Sequence, residues 1–141
     1  MYNPTRDQVR QFFFDTWKKY REGAPLEGLE KTAIGIVLEH PEYHGILDQP
    51  ERYVDRDYLP EHGETNPFLH MSLHLALEEQ LSIDQPPGIK AEFERILSVH
   101  GDRHDALHTA LECLAELVWQ SSRNSASPSA DGYLECLRRK G

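Results

Sequence analysis

Two stretches of this chain, HMSLHLALE at residues 70 to 78 and HDALHTALE at residues 104 to 112, agree at six of nine positions. Both set His, His and Glu four residues apart, and each ladder is interleaved with leucine and alanine. A spacing of four keeps side chains on one side of an α-helix, about 6 Å apart along its axis. The pattern therefore predicts two helices that carry polar rungs among apolar residues. That combination excludes an ordinary apolar core and demands a partner for each rung.

On a helical projection centred on His74, His70 and Glu78 lie about 40° to either side, with Met71, Leu77 and Leu81 within about 60°. On the second helix His104 and Glu112 flank His108 in the same way, beside Leu111, Ala115 and Trp119. Leu114 and Leu117 fall well off that face, so the second helix is apolar almost all round and is expected to be the most buried. Unpaired imidazoles and carboxylates are costly in a low-dielectric interior. Either the rungs satisfy one another in a structural network, or they ligate metal.

The remaining histidines bear on that choice. His40 and His44 form a third pair at spacing four, straddling Pro41. The expected ligand set is His40, His44, His70, His74, Glu78, His104, His108 and Glu112. Rungs about 12 Å apart along one helix can scarcely share an ion, so three on each of two helices suit two neighbouring ions, or one ion with a second pair supporting its ligands. Iron is the leading expectation, as a non-haem two-iron centre with Glu78 and Glu112 as bridges, able to bind dioxygen or to oxidise. Zinc, manganese and nickel remain open, because nitrogen and oxygen donors suit them as well. The alternative is a cofactor-free or zinc-stabilised interaction protein. Haem ranks third, since there is no Cys-x-x-Cys-His motif. Glu116 reads as either a support for the ligands or a surface residue, Cys113 as a core thiol, and His62 and His100 as ordinary polar residues.

The rest of the chain supplies helices and breaks. Asn3 and Pro4 open a first helix through Val9, Phe12, Phe13, Trp17 and Tyr20 to Gly23. Pro25 starts a second, which Pro41 ends or kinks, with a further turn or two in PEYHGILDQ. Residues 49–65, rich in charge, Pro and Gly, read as a long surface loop. Asn66 caps and Pro67 begins the helix of the first ladder; a fourth runs from Ile89 to His100, stopped by Gly101, and Asp102 caps the fifth. No strand is expected. The fold class is all-α, a four- or five-helix bundle over residues 1–122, followed by a flexible Ser-rich linker at 123–132 and a short helix or tail at 133–141.

Composition narrows the partners. A formal charge of -9 disfavours nucleic acid. No apolar run is long enough to span a bilayer and MYNPTRDQVR is no signal peptide, so the expectation is a cytoplasmic protein with Cys113 and Cys136 as thiols. No enzymatic reaction is assigned, and a small ligand such as dioxygen is the only partner suggested.

With EHPEYH, NPFLHMSLHLALEEQLSIDQPPGI and DRHDALHTALECLAE in view, the chain resembles a family of short proteobacterial proteins that form a domain of unknown function. The likeness runs from NPTRDQVRQFFFDTW onward and implies a bacterial single-domain protein but no mechanism. The rungs are also similar, in ligand logic alone, to hemerythrins and ferritin-like two-iron bundles. The order of rungs differs, and the Glu-x-x-His pairs of ferritin-like sites are absent. Bundles of the DinB type, which hold one ion through three histidines, would use fewer rungs.

Overall fold

The computed structural model describes residues 6–56, 58, 66–124 and 130–140, without the side chains of residue 6 and residues 119–124. It is all-α, and no strand occurs among the described residues. The chain forms two compact units, residues 1–75 and 76–141.

The first unit begins with α1, Arg6–Arg21, whose Phe13, Phe14 and Trp17 point into a core with Ala33, Ile36, Val37, Leu47, Phe68 and Met71. Phe13 and Trp17, with the partly buried Val9 and Phe12, follow the expected helical intervals; Phe14 joins this face, whereas Tyr20, expected on it, is 44% exposed. Lys18, Lys19 and Arg21 occupy its last turn, where cations favour the exposed carbonyl end. The expected cap at Asn3 and Pro4 lies outside the described residues. Helix α2 spans Leu29–Leu38 and starts four residues later than Pro25 suggests. The delay has a backbone cause: Gly28 precedes the helix at φ 57°, a left-handed conformation that α-helix cannot absorb. Pro41 ends the helix as expected and opens a 3-10 turn, Pro41–Tyr43, continued by α3, His44–Leu47.

The expected loop at 49–65 is partly helical. Helix α4, Pro50–Tyr53, forms there because Pro50 is pre-set for a first helical position; residues 57 and 59–65 lie outside the described residues. Arg10, buried on α1, holds the end of this turn. Its Nη1 donates to the carbonyls of Tyr53, Val54 and Arg56 at 3.2, 3.0 and 2.7 Å, and its guanidinium stacks 4.7 Å from the Phe68 ring centre. Helix α5, Pro67–Ile83, carries the first ladder. Asn66 caps it as predicted, its Oδ1 accepting from the amides of Phe68 and Leu69.

The division between the units falls inside α5, between Leu75 and Ala76. In the second unit Asp84 ends α5 and reaches forward: its carboxylate accepts from the amides of Gly88 and Lys90. Those backbone bonds to Lys90 and then Gly88 lower its pKa. Helix α6, Ile89–His100, buries Ile89, Phe93 and Ile96 and stops at Gly101, φ 73°. Asp102 then caps α7, Arg103–Asn124, through the amide of Asp105. Helix α8, Ala130–Arg139, packs with Tyr133, Leu134 and Leu137 buried. It is tied down by Tyr133 Oη donating to Gln80 at 2.8 Å and by Arg95 donating to the Leu137 carbonyl at 2.7 Å.

One expectation is overturned here. Cys113 and Cys136 are not thiols: they form a disulfide between α7 and α8, with Cα atoms 5.8 Å apart. Helix packing brings together residues whose separation in sequence carries no pairing signal. Disulfides persist in oxidising surroundings, which weighs against the cytoplasmic expectation. Among the described residues no helix is long and apolar enough to cross a membrane.

Candidate metal centre

The first unit alone gathers three histidines. His40 follows α2, where Pro41 bends the chain, and His70 and His74 sit one turn apart on α5. One nitrogen of each lies within 4.8 Å of the others. His40 and His74 are 2% and 1% exposed, so this is interior chemistry rather than a surface cluster. The ring centres of His40 lie 5.0 Å from His70 and 4.8 Å from His74, edge to face.

Hydrogen bonds orient the rings. His40 Nδ1 donates to the carbonyl of Ile36 at 2.8 Å, one helical turn back. In a neutral imidazole that bond places the lone pair on Nε2, the arrangement by which metal-binding histidines are commonly fixed. His70 Nε2 and His74 Nε2 lie 3.2 Å apart. Two nitrogens bound tetrahedrally to one ion at about 2.05 Å would be about 3.4 Å apart, so this pair already has ligand spacing. Tyr43 stacks on His40, interplanar angle 6°, and burial followed by the charge of Glu42 pushes its phenol above its ordinary pKa. A neutral phenol therefore walls one side of the cluster.

The other expected ligands have other engagements. His44 Nε2 donates to the Val37 carbonyl at 2.8 Å, and its ring packs on Trp17 with centres 4.4 Å apart. The proline bend thus separates His44 from His40 in role. Glu78 receives a forked pair of bonds from Arg103, at 3.0 and 2.6 Å. Glu112 is bound by Lys140 at 2.6 Å. His104 and His108 are half-buried on α7, rings in contact at 4.2 Å. Glu116 is exposed, and His100 bonds Thr109 at 3.0 Å; His62 lies outside the described residues.

The second ladder's helix is buried on a different side from the one the projection favoured. Ala106, Leu107, Ala110, Leu111, Cys113 and Leu114 are buried, whereas Glu112 and Ala115 are exposed. Sequence reading missed Arg10 and Tyr43. The only signals for them were an arginine in an aromatic run and a tyrosine between paired histidines.

Fold and site together define an all-α protein with a buried imidazole cluster able to hold a metal ion. The chain belongs to the family described as Domain of unknown function (DUF1841), which matches residues 5–139. No curated protein and no solved structure matches it.

Proposed function

We propose that this chain binds one divalent first-row transition-metal ion through His40, His70 and His74 of the first unit. The observation that carries the reading is the convergence of three buried or half-buried imidazoles on one point, one of them already oriented through its Nδ1. Packing alone gives no reason to gather three polar rings in an interior, since each must be desolvated and then satisfied. A metal supplies that reason.

A single ion is better supported than the two-iron centre that the ladders suggest. The carboxylates expected to bridge two ions, Glu78 and Glu112, are held in ion pairs by Arg103 and Lys140. An imidazole-only set leaves the full charge of a divalent ion uncompensated, and its borderline nitrogen donors suit zinc, iron, nickel or copper ahead of magnesium or calcium. Four protein ligands would make a closed, structural centre, whereas three would leave a position for water or a small ligand.

Elemental analysis of untagged protein, purified without chelator or metal-affinity resin, tests this directly. Near one ion per chain is expected, lost in His74→Ala and His40→Ala and retained in His44→Ala. Two irons per chain would restore the two-iron centre. No stoichiometric metal after reconstitution with iron, zinc, nickel, copper and manganese would leave the cofactor-free network as the function of the ladders.

A further inference from the structure

A second chemical feature lies apart from the histidines, in the second unit. The disulfide between Cys113 and Cys136 is set in the wall of an open cavity of about 200 Å³, lined also by Glu116, Leu117, Gly132, Tyr133 and Arg139. Its two sulfurs are not equivalent. Cys113 is 2% exposed on the buried side of α7, while Cys136 is half-buried on α8. An incoming thiolate must approach along the line of the S–S bond; both cysteines line the cavity, and the more exposed Cys136 is the favoured end.

The cavity also selects its visitor. At about 200 Å³ it admits part of a small molecule. Arg139 follows Cys136 by three residues on α8, so the two share a face of the helix; its side chain lines the cavity, is 75% exposed and lies 3.6 Å from Glu135 in a solvated ion pair that an incoming carboxylate can displace. A cation there favours thiols that carry carboxylates.

We propose that Cys136 is a site of thiol exchange with a small acidic thiol of the glutathione kind. The thiolate of that molecule bonds to Cys136 Sγ as the Cys136–Cys113 bond breaks. Its electron pair leaves on Cys113 Sγ, which takes up a proton from water. The products are a mixed disulfide at Cys136 and a buried Cys113 thiol, with no further oxidant or reductant consumed. Attack by a second molecule on the mixed disulfide completes reduction, and the reverse exchange restores the tether. Tyr133, Leu134 and Leu137 remain as apolar anchors of α8 throughout.

The full-length oxidised protein is incubated with millimolar glutathione, quenched in acid, alkylated and mapped by peptide mass spectrometry. The expected result is glutathione on Cys136 and the alkyl label on Cys113. Arg139→Ala, checked for native helix content by circular dichroism, is expected to slow exchange several-fold with glutathione and to leave the rate with neutral 2-mercaptoethanol unchanged. An adduct on Cys113, or two free thiols in protein isolated without reductant, would overturn the proposal. So would resistance to glutathione in a protein that a thioredoxin-like dithiol protein reduces readily, and an equal effect of Arg139→Ala on both small thiols would remove the acidic selectivity.

Discussion

The two ladders share six of nine residues, yet their helices are buried on different sides. In α5 the rung His74 lies in the middle of the buried stripe, between Phe68 and Met71 on one side and Leu77 and Leu81 on the other. In α7 the buried stripe runs through Ala106, Leu107, Ala110, Leu111, Cys113 and Leu114, and its centre is about 140° around the helix from His108. The repeats differ at only three positions: Met71 against Asp105, Ser72 against Ala106, and Leu75 against Thr109. Met71 is 0% exposed and Asp105 is exposed, whereas Ala106 is 0% exposed and Ser72 half-buried. A shared ladder therefore does not fix which side of a helix turns inward. The intervening residues do, because an aspartate cannot occupy the place of a buried methionine without a partner.

Exchanging those residues should break the symmetry of the comparison most forcefully. Met71→Asp places a carboxylate in the core of the first unit and is expected to cost about 4 kcal/mol or more, enough to unfold a marginal protein. Asp105→Met should stay within about 1 kcal/mol, since it removes an exposed residue and a favourable charge from the first turn of α7. Urea denaturation of the two variants decides the matter. Equal losses would mean that both ladders are buried alike, contrary to the burial of Met71 and the exposure of Asp105.

The rungs themselves come next. Truncating His74, 1% exposed, leaves a hole in the core, and His74→Ala should lose about 3 kcal/mol against about 1 kcal/mol for the half-buried His108→Ala. Metal binding enters the first number and must be separated. In chelator the wild-type Tm should fall, because an ion bound only by the folded state stabilises it, and His74→Ala should be insensitive to chelation. The difference between the variants should survive in chelator, where packing alone is compared. If it vanishes there, ligation rather than burial distinguishes the two rungs.

A covalent tether distinguishes the helices as well. The disulfide closes a loop of sequence separation 23, which by chain entropy contributes about 3 kcal/mol. Cys113→Ser with Cys136→Ser should therefore lower stability by about that amount, read by denaturant unfolding. Hydrogen exchange should show the loss of protection in α7 and α8, with the first turns of α5 spared. Loss spread evenly over α5 would show that the units do not respond separately.

These contrasts explain what the sequence does and does not disclose. Asn66 with Pro67, Asp102 and Gly101 act within a few residues of themselves, so the ends of α5, α6 and α7 were legible. The inward direction of His74 was legible too, because α5 has one clear apolar stripe. For α7 the projection failed since a helix apolar almost all round has no unique direction for periodicity to report. The Cys113–Cys136 pair and the Arg10 clamp were not legible for a different reason. Their partners lie 23 and about 45 residues away, and only packing brings them together. The division of His40 from His44 was half legible: Pro41 marked the bend, but the Val37 carbonyl that captures His44 depends on how the chain turns after it.

The smallest expected contrast concerns the last rung of each ladder. Glu78 is 20% exposed and accepts two bonds from the planar guanidinium of Arg103, whereas Glu112 is 65% exposed and pairs with a single ammonium. Forked, partly sheltered pairs hold their geometry better and are screened less than solvated ones. Glu78→Gln should cost about 1 kcal/mol and Glu112→Gln less than about 0.5 kcal/mol by thermal unfolding at low salt. Raising the salt should erase the second effect before the first, because the shielded carboxylate feels the counterions less. Both variants should keep the full metal content if the centre is built from imidazoles alone. A loss of metal in Glu78→Gln would instead mean that Arg103 releases the carboxylate to the ion, and the two-iron arrangement would then regain its bridge.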